Sequence, residues 1–234
     1  MKKIILICLA LLVVGCGATA TPTPPAKASY PWGAGDRAEY TIEGNGQPIG
    51  SLVFTTAAKE TGYVLTTETT IGAIKDVSNV RVDNDLKPIG ATRQLTGAGQ
   101  SDFTLMTIYD KGKLTIQAKT STGDKSASVD VPADAWDNDQ LLMSIRSLPL
   151  TDTYAYTLTN VVGANASMVK TQLTVVGKET VSVAAGSFTA YKVEMSFGQS
   201  KQYVWVDASK PHHIIKYENT DAKQVISLTK VSTQ

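Results

Sequence analysis

From residue 37 onward, short runs of β-branched and aromatic residues alternate with turns rich in Gly, Asn and Asp. Residues 114–118 place apolar side chains at every second position, and residues 154–158 repeat this pattern. A period of two residues is typical of a strand with one buried and one solvated face. About a dozen such runs follow one another at spacings typical of sandwiches and barrels. The sequence therefore predicts a mainly all-β fold, built as a large curled antiparallel sheet or an open half-barrel.

The predicted strands of the first half are separated by recognisable turns. Gly44-Asn45-Gly46 follows the first strand, and Asp110-Lys111-Gly112 is a good hairpin signal. We expect the first seven strands at residues 37–43, 49–56, 63–70, 77–82, 89–95, 103–109 and 114–118.

One stretch departs from the period of two. Asp137, Asn138 and Asp139 offer N-cap candidates and acidic residues for a first helical turn. Apolar residues at helical spacing follow, and Pro149 ends the run. We therefore expect one short amphipathic helix that covers the concave side of the sheet. Its apolar stripe consists of Leu141, Leu142, Ile145 and Leu148.

The N-terminal segment has the features of an export signal. Lys2 and Lys3 precede an uncharged apolar run over residues 4–14, which is too short to span a bilayer. The next residues, Val13-Val14-Gly15-Cys16, resemble the lipobox of bacterial lipoproteins. The resemblance implies cleavage between Gly15 and Cys16 and attachment of diacylglycerol, with fatty acyl chains such as palmitate, to the Cys16 thiol. The alternative is an ordinary signal peptide with an incidental cysteine.

This interpretation divides the chain into three parts. Residues 1–15 are a lipoprotein signal peptide, residues 16–31 a Thr/Pro-rich tether that prefers extended conformations, and residues 32–234 a single antiparallel β domain. Two or more acyl chains suffice for stable anchoring. We expect an extracytoplasmic protein held on the bacterial membrane by its N-terminal cysteine. Gly17 stands where an Asp would signal inner-membrane retention, which favours the outer membrane if the organism has one.

Charge and cysteine content restrict the possible partners and chemistry. The formal net charge is +1, and loss of Lys2 and Lys3 with the leader keeps the mature protein close to neutral. A near-neutral domain has no basic footprint, so we expect no nucleic-acid partner. The two cysteines are Cys8 and Cys16, so the predicted domain has no disulfide, cysteine-ligated zinc or cysteine nucleophile.

The candidates for catalysis or metal binding are few. His212 and His213 are neighbours, so in a strand they would face opposite ways and could not share a metal ion. Asp134, Asp137 and Asp139 lack the glycine and the final glutamate of a calcium loop, and capping explains these acids more simply. We predict no metal, no cofactor, no catalytic residue and no enzymatic activity. An enzyme that uses these histidines or acids is the less favoured alternative.

Several segments of the second half have a familiar pattern. They resemble a bacterial family of domains of unknown function, the one catalogued as thirty-one-oh-eight. The resemblance covers residues 137–218 well and residues 37–131 loosely. It implies a secreted or envelope protein with a curved antiparallel sheet, and it implies no activity and no catalytic residues. The matching segments are Ser144-Ile145-Arg146-Ser147-Leu148-Pro149-Leu150, Val176-Gly177-Lys178-Glu179-Thr180-Val181, Ala185-Gly186-Ser187-Phe188-Thr189-Ala190-Tyr191-Lys192-Val193-Glu194 and Tyr203-Val204-Trp205-Val206-Asp207.

A curled sheet with one helix could enclose an apolar groove. Our first hypothesis is that this groove binds a lipid or another hydrophobic molecule. The alternative is a structural or protein-interaction module of the envelope, with an unknown partner, whose groove is filled by its own side chains. The residues predicted to contact a ligand are Leu141, Ile145, Tyr191, Val193, Tyr203 and Trp205.

Overall fold

The computed structural model describes residues 35–233. The predicted signal peptide, the lipidation site at Cys16 and the tether lie outside the described residues. The strands of the first half are β1 Gly35–Gly44, β2 Gln47–Lys59, β3 Gly62–Ile71, β4 Ile74–Val82, β5 Pro88–Thr96, β6 Phe103–Asp110, β7 Lys113–Thr120 and β8 Gly123–Asp130. The strands of the second half are β9 Ala135–Asp137, β10 Ala155–Val162, β11 Ser167–Val183, β12 Gly186–Phe197, β13 Ser200–Asp207, β14 Ile214–Asn219 and β15 Gln224–Thr233.

All these strands belong to one 15-stranded sheet in the order β8-β7-β6-β5-β4-β3-β2-β1-β15-β14-β13-β12-β11-β10-β9. The first and last strands pair in its middle, where Tyr40 stands opposite Leu228. Neighbouring strands are antiparallel except β9 and β10, which run parallel. The predicted fold class, a large antiparallel sheet, is confirmed.

Each strand has one face toward the core. In β1 the buried positions are Asp36, Ala38, Tyr40 and Ile42, which alternate with partly exposed ones. Directly opposite residues in an antiparallel pair share a face, so this alternation passes from strand to strand. We call the face that carries Tyr40 and Leu52 the concave face and the other the convex face.

The sheet closes by overlapping itself. Val161 in β10 lies on the convex face, because it alternates with Asn160 on the concave face. Val161 nevertheless packs in a small cluster with the concave-face residues Leu105, Leu114 and Ile116 of β6 and β7. The β9–β10 edge is therefore tucked inside the β6–β7 side, and the two sheet edges β8 and β9 are not hydrogen-bonded to each other.

The predicted helix is present but short. A 3-10 turn at Asn138–Gln140 leads into α1, Leu141–Ile145, and the side chain of Asp137 caps the turn. The capping role predicted for Asp137 is confirmed. Burial does not follow the predicted one-sided stripe, since Ser144 and Arg146 are as buried as Leu141, whereas Leu142 is only half-buried. The segment is surrounded because the curled sheet encloses it.

The segment around α1 is attached to the sheet by polar contacts. Gln140 Nε2 donates to the carbonyl oxygen of Leu86 at 2.9 Å. The Thr67 hydroxyl lies 4.0 Å from the sulfur of Met143. Within residues 35–233 no helix has the length and apolar character needed to cross a membrane.

Candidate functional site

A pocket of about 310 Å³ opens between α1 and the concave face of β10–β14. We call it the apolar pocket. Its volume is at the lower end of the ~300–1,000 Å³ range of ligand pockets. No charged side chain lines it. The lining residues are Asn138, Leu141, Leu142, Asn160, Val162, Val169, Met195, Phe197, Gln202 and Tyr217.

Strand register places these side chains together. Asn160 in β10 stands opposite Val169 in β11. Met195 in β12 stands opposite Gln202 in β13. Opposite residues point to the same face, so all four reach the concave side. Leu141 and Leu142 close the pocket from the helix.

The polar groups of the apolar pocket are partly satisfied. Tyr217 donates its hydroxyl to Gln202 Oε1 at 2.9 Å, and burial raises the pKa of this tyrosine. Asn160 Nδ2 donates to Asn138 Oδ1 at 2.9 Å. Asn160 Oδ1 is buried and has no hydrogen-bond partner among the described residues. An unpaired buried acceptor of this kind costs about 1–3 kcal/mol of stability.

Four of the six residues predicted to contact a ligand point to the interior of the sheet, but only one of these four lines the apolar pocket. Leu141 contributes to the pocket wall. Ile145 and Val193 have no exposed surface and belong to the core. Tyr191 shares the face of Val193, and the Nζ of Lys178 lies 4.7 Å from its ring centroid. Pattern alone could not separate pocket from core, because both require apolar concave-face residues.

Tyr203 and Trp205 lie on the convex face, opposite the apolar pocket. Trp205 stands between Lys192 and Lys216 of the neighbouring strands, whose Nζ atoms lie 4.9 and 4.6 Å from its ring. Its Nε1 donates to Glu179 Oε1 at 2.5 Å. The structure therefore does not bring the six predicted residues together. Strand pairing places Tyr203 opposite Glu194 and Trp205 opposite Lys192, on the face away from Val193.

The predicted acidic cluster is divided between two places. Asp134 accepts hydrogen bonds from Thr159 and, at 2.9 Å, from Lys170 Nζ. Asp137 instead caps the 3-10 turn by accepting from the Asp139 backbone N–H at 2.9 Å. Burial, and then the nearby Asp139 charge, raise the pKa of Asp137 to about 6.

A cluster of polar side chains that the sequence analysis did not predict surrounds Arg93. Its Nη2 donates to Asp76 Oδ2 at 2.6 Å, and its Nη1 donates to Asp139 Oδ1 at 3.3 Å. Tyr109 donates its hydroxyl to Asp137 Oδ2 at 2.7 Å. These contacts join β4, β5 and β6 to the capping turn. One feature of the sequence could have indicated this cluster: Arg93 is a charged residue at a strand position whose side chain, by alternation, points to the interior.

The two histidines precede β14 instead of lying within it, so the predicted strand geometry is wrong for them. His212 donates its Nδ1–H to the Asp207 carbonyl oxygen at 2.9 Å. His213 is buried, and its Nδ1 lies 3.1 Å from Arg146 Nη2. Burial, and then the positive charge of Arg146, lower the pKa of His213. Across residues 35–233 no group of three or more His, Cys, Asp or Glu is arranged to hold a metal ion.

The fold is shared with another protein of unknown function. A β-barrel-like protein from Brucella abortus, of the domain of unknown function DUF1849, is similar with a TM-score of 0.63 at 10% identity over 86% of this chain and 98% of its own. At this identity the likeness concerns the fold alone. A Bacteroides fragilis protein described as having a YmcC-like fold matches at 11% identity over 88% of this chain and 100% of its own, but its TM-score of 0.31 is too low to support an argument.

Sequence comparison gives a family without an activity. A family model described as "Protein of unknown function (DUF3108)" matches residues 39–225. The chain matches no curated protein. Any function must therefore be argued from the chain's own residues.

Proposed function

Because the chain belongs to the DUF3108 family of proteins of unknown function, we propose its function from its own pocket and N-terminal segment. We infer a non-enzymatic bacterial lipoprotein, anchored to the membrane through Cys16, that binds a lipid or another hydrophobic molecule. The observation that carries this proposal is the apolar pocket of about 310 Å³ beside α1.

The pocket supports this proposal through its composition. Apolar side chains from the helix and three strands form most of its wall, and no charge interrupts them. Each Å² of apolar ligand surface buried there contributes about 25 cal/mol. Phe197 and Tyr217 are half-buried at the wall, so an apolar ligand would also cover exposed protein surface.

The N-terminal segment supports the proposed location. The basic start, the apolar run and Val13-Val14-Gly15-Cys16 are the features of a lipoprotein precursor. A tether rich in Thr and Pro would hold the sheet away from the membrane surface. A pocket held there by a tether could accept a hydrophobic molecule from the membrane or from another envelope component.

The direct test uses the chain from residue 30 onward, which contains every strand and the core described above. It is purified without detergent and examined by native mass spectrometry and by titration with the fluorescent apolar probe N-phenyl-1-naphthylamine. We expect a co-purified hydrophobic molecule or saturable binding of the probe. A folded protein that retains no such molecule and does not bind the probe would contradict the proposal and favour a structural or protein-interaction module.

A further inference from the structure

We propose that the apolar pocket binds one alkyl chain, with the free methyl end of the chain against Leu141 and Met195 and its polar group beside Gln202 and Tyr217. This inference rests on the proposed function and names the chemical class of the ligand. The class is a single-chain amphiphile that is polar at one end only.

The burial of the concave side chains shows where the apolar pocket opens. In β12 Met195 is 1% exposed, whereas Phe197, two residues later, is half-buried. In β13 Gln202 is half-buried and Val204 is fully buried. The same order holds from Val162 to Asn160 in β10, from Val169 to Thr171 in β11 and from Tyr217 to Ile215 in β14. Strand register puts the half-buried members of all five strands at one end of the sheet, which we call the pocket mouth.

The inner end of the pocket offers a ligand only apolar contacts. Leu141 and Met195 are 3% and 1% exposed. Asn160 is also buried, but its Nδ2 is bonded to Asn138 and its Oδ1 has almost no accessible surface. A polar group at this end would lose its hydration without gaining a hydrogen bond, whereas burial of CH₂ groups is favourable. The free end of an alkyl chain therefore enters first.

The pocket mouth provides hydrogen-bonding groups for the polar end of the ligand. Tyr217 donates its hydroxyl to Gln202 Oε1 at 2.9 Å, and both side chains are half-buried. A glutamine amide has two N–H groups and a tyrosine oxygen can also accept, so the pair keeps both donors and acceptors for a ligand. No charged side chain lines the pocket, so these hydrogen bonds take the place of an ion pair.

The volume of the pocket limits the ligand to one chain. At about 310 Å³ it is at the lower end of the ~300–1,000 Å³ range of ligand pockets. The second acyl chain of a phospholipid would find no room in it and would remain in water.

The direct test determines the orientation of bound 1-decanol by NMR. The chain from residue 30 onward carries ¹³C-methyl methionine, and Met195→Leu assigns the Met195 resonance. We expect intermolecular NOEs from the terminal methyl group of 1-decanol to the Met195 methyl group, and from its C1 protons to the Tyr217 ring. The reversed pattern would overturn the inference.

Two isomeric ligands test the apolar inner end by affinity. In 1,2-decanediol both hydroxyls are at one end, whereas 1,10-decanediol has the same atoms with one hydroxyl at each end. We expect 1,2-decanediol to displace N-phenyl-1-naphthylamine at a concentration at least about tenfold lower, because 1,10-decanediol must bury a hydroxyl.

A double variant tests the polar mouth. Gln202→Leu combined with Tyr217→Phe removes both polar groups, so the affinity for 1-decanol relative to 1-chlorodecane should fall about threefold or more. Lys201→Leu is the matched control, because Lys201 precedes Gln202 in β13, faces the other side of the sheet and pairs with Glu194 at 2.9 Å. It should leave this ratio unchanged. The NOEs of the wild type do not depend on these variants.

The outcomes separate this inference from the proposed function. If neither N-phenyl-1-naphthylamine nor 1-decanol binds, the proposed function fails and the inference fails with it. If 1-decanol binds in the reversed orientation, or the two diols bind equally, the inference is overturned while hydrophobic binding stands. A wild-type affinity ratio in the folded double variant, or an equal fall in the control, also overturns it.

Discussion

Arg146 Nη2 donates to Asp36 Oδ2 at 2.5 Å, and the two side chains are 1% and 6% exposed. Asp36 belongs to β1, and Arg146 follows α1. Arg146 also donates to the carbonyl oxygens of His212 at 3.0 Å and Pro211 at 3.2 Å. One guanidinium group thus joins the first strand, the helical segment and the loop before β14.

This arrangement predicts a large loss of stability when either partner is removed. Asp36→Ala and Arg146→Ala should each lower the free energy of unfolding by about 3–5 kcal/mol, because the remaining charge would be buried without its partner. Arg37→Ala is the matched control, since Arg37 is next to Asp36 and its pair with Glu39 is exposed. It should cost less than about 1 kcal/mol. Urea unfolding measures all three, and a similar loss in the control would contradict the prediction.

The raised pKa of Asp137 leads us to predict that the stability of the fold depends on pH. Its pKa rises from 3.8 to about 6 in the folded protein. A carboxyl group whose pKa is higher in the folded than in the unfolded protein stabilises the fold at pH values below the unfolded-state pKa. This contribution is lost as the pH rises through the folded-state pKa. Between pH 4 and 7 this residue alone should lower the free energy of unfolding by at most about 3 kcal/mol.

The variant Asp137→Asn isolates this effect from the other titrating groups. It still offers an oxygen to the Asp139 N–H but does not ionise. The stability of the wild type relative to the variant should therefore decrease from pH 4 to pH 7, as measured by urea unfolding. A difference that stays constant over this range would show that Asp137 is not responsible.

The lowered pKa of His213 leads us to predict a pH dependence of stability with the opposite sign. Burial and the positive charge of Arg146 lower its pKa below the ordinary histidine value of 6.5. A histidine whose pKa is lowered on folding stabilises the fold at pH values above 6.5. This contribution is lost as the pH falls through the folded-state pKa. The chain has two histidines, so His213→Gln assigns the imidazole resonances by NMR. We expect the resonance of His213 to titrate below 6.5, and a midpoint above 6.5 would refute the prediction.

Filling the apolar pocket should weaken ligand binding. Val169 lines the pocket, whereas Met168 beside it is 41% exposed on the other face of β11. Val169→Trp places an indole in the cavity, so binding of N-phenyl-1-naphthylamine should weaken by at least about tenfold. Met168→Trp adds the same side chain and should leave binding unchanged. Equal effects of the two variants on titration of the probe would place the binding site elsewhere.

Loss of the cysteine thiol should release the protein from the membrane. Without lipidation, Cys16→Ala has at most the leader as an anchor, so its partition should shift toward the soluble envelope fraction. Mass spectrometry of the wild type should give a mass increased by acyl groups, and the variant should lack this increase. Retention of the variant in the membrane with no difference in mass would contradict the lipobox interpretation.

The sequence predicted the strands well where side chains alternate. The first seven predictions overlap β1–β7, because one buried face imposes a period of two on apolar residues. It missed β8, which is exposed at every position except Val129 and so has no apolar alternation. It also missed β9, whose three residues pair with β10 and are too few for a pattern.

The candidate site was predicted in part. Helical spacing correctly placed Leu141 against the concave side. It did not identify Asn160 or Val169, because their role depends on the empty space between five strands and α1. The sequence assigned no role to Arg146, because its partner Asp36 is 110 positions away in the chain.

The sequence by itself determined most of the strands, the alternation of side chains between the two faces of each and the capping of the helical turn. These features depend on neighbours within a few residues, so local physics encodes them. Only the tertiary structure decided the pairing of β1 with β15, the overlap of β9–β10 inside β6–β7 and the position of the apolar pocket. These depend on how a long sheet curls and which distant side chains then meet, and no local pattern in the chain records that geometry.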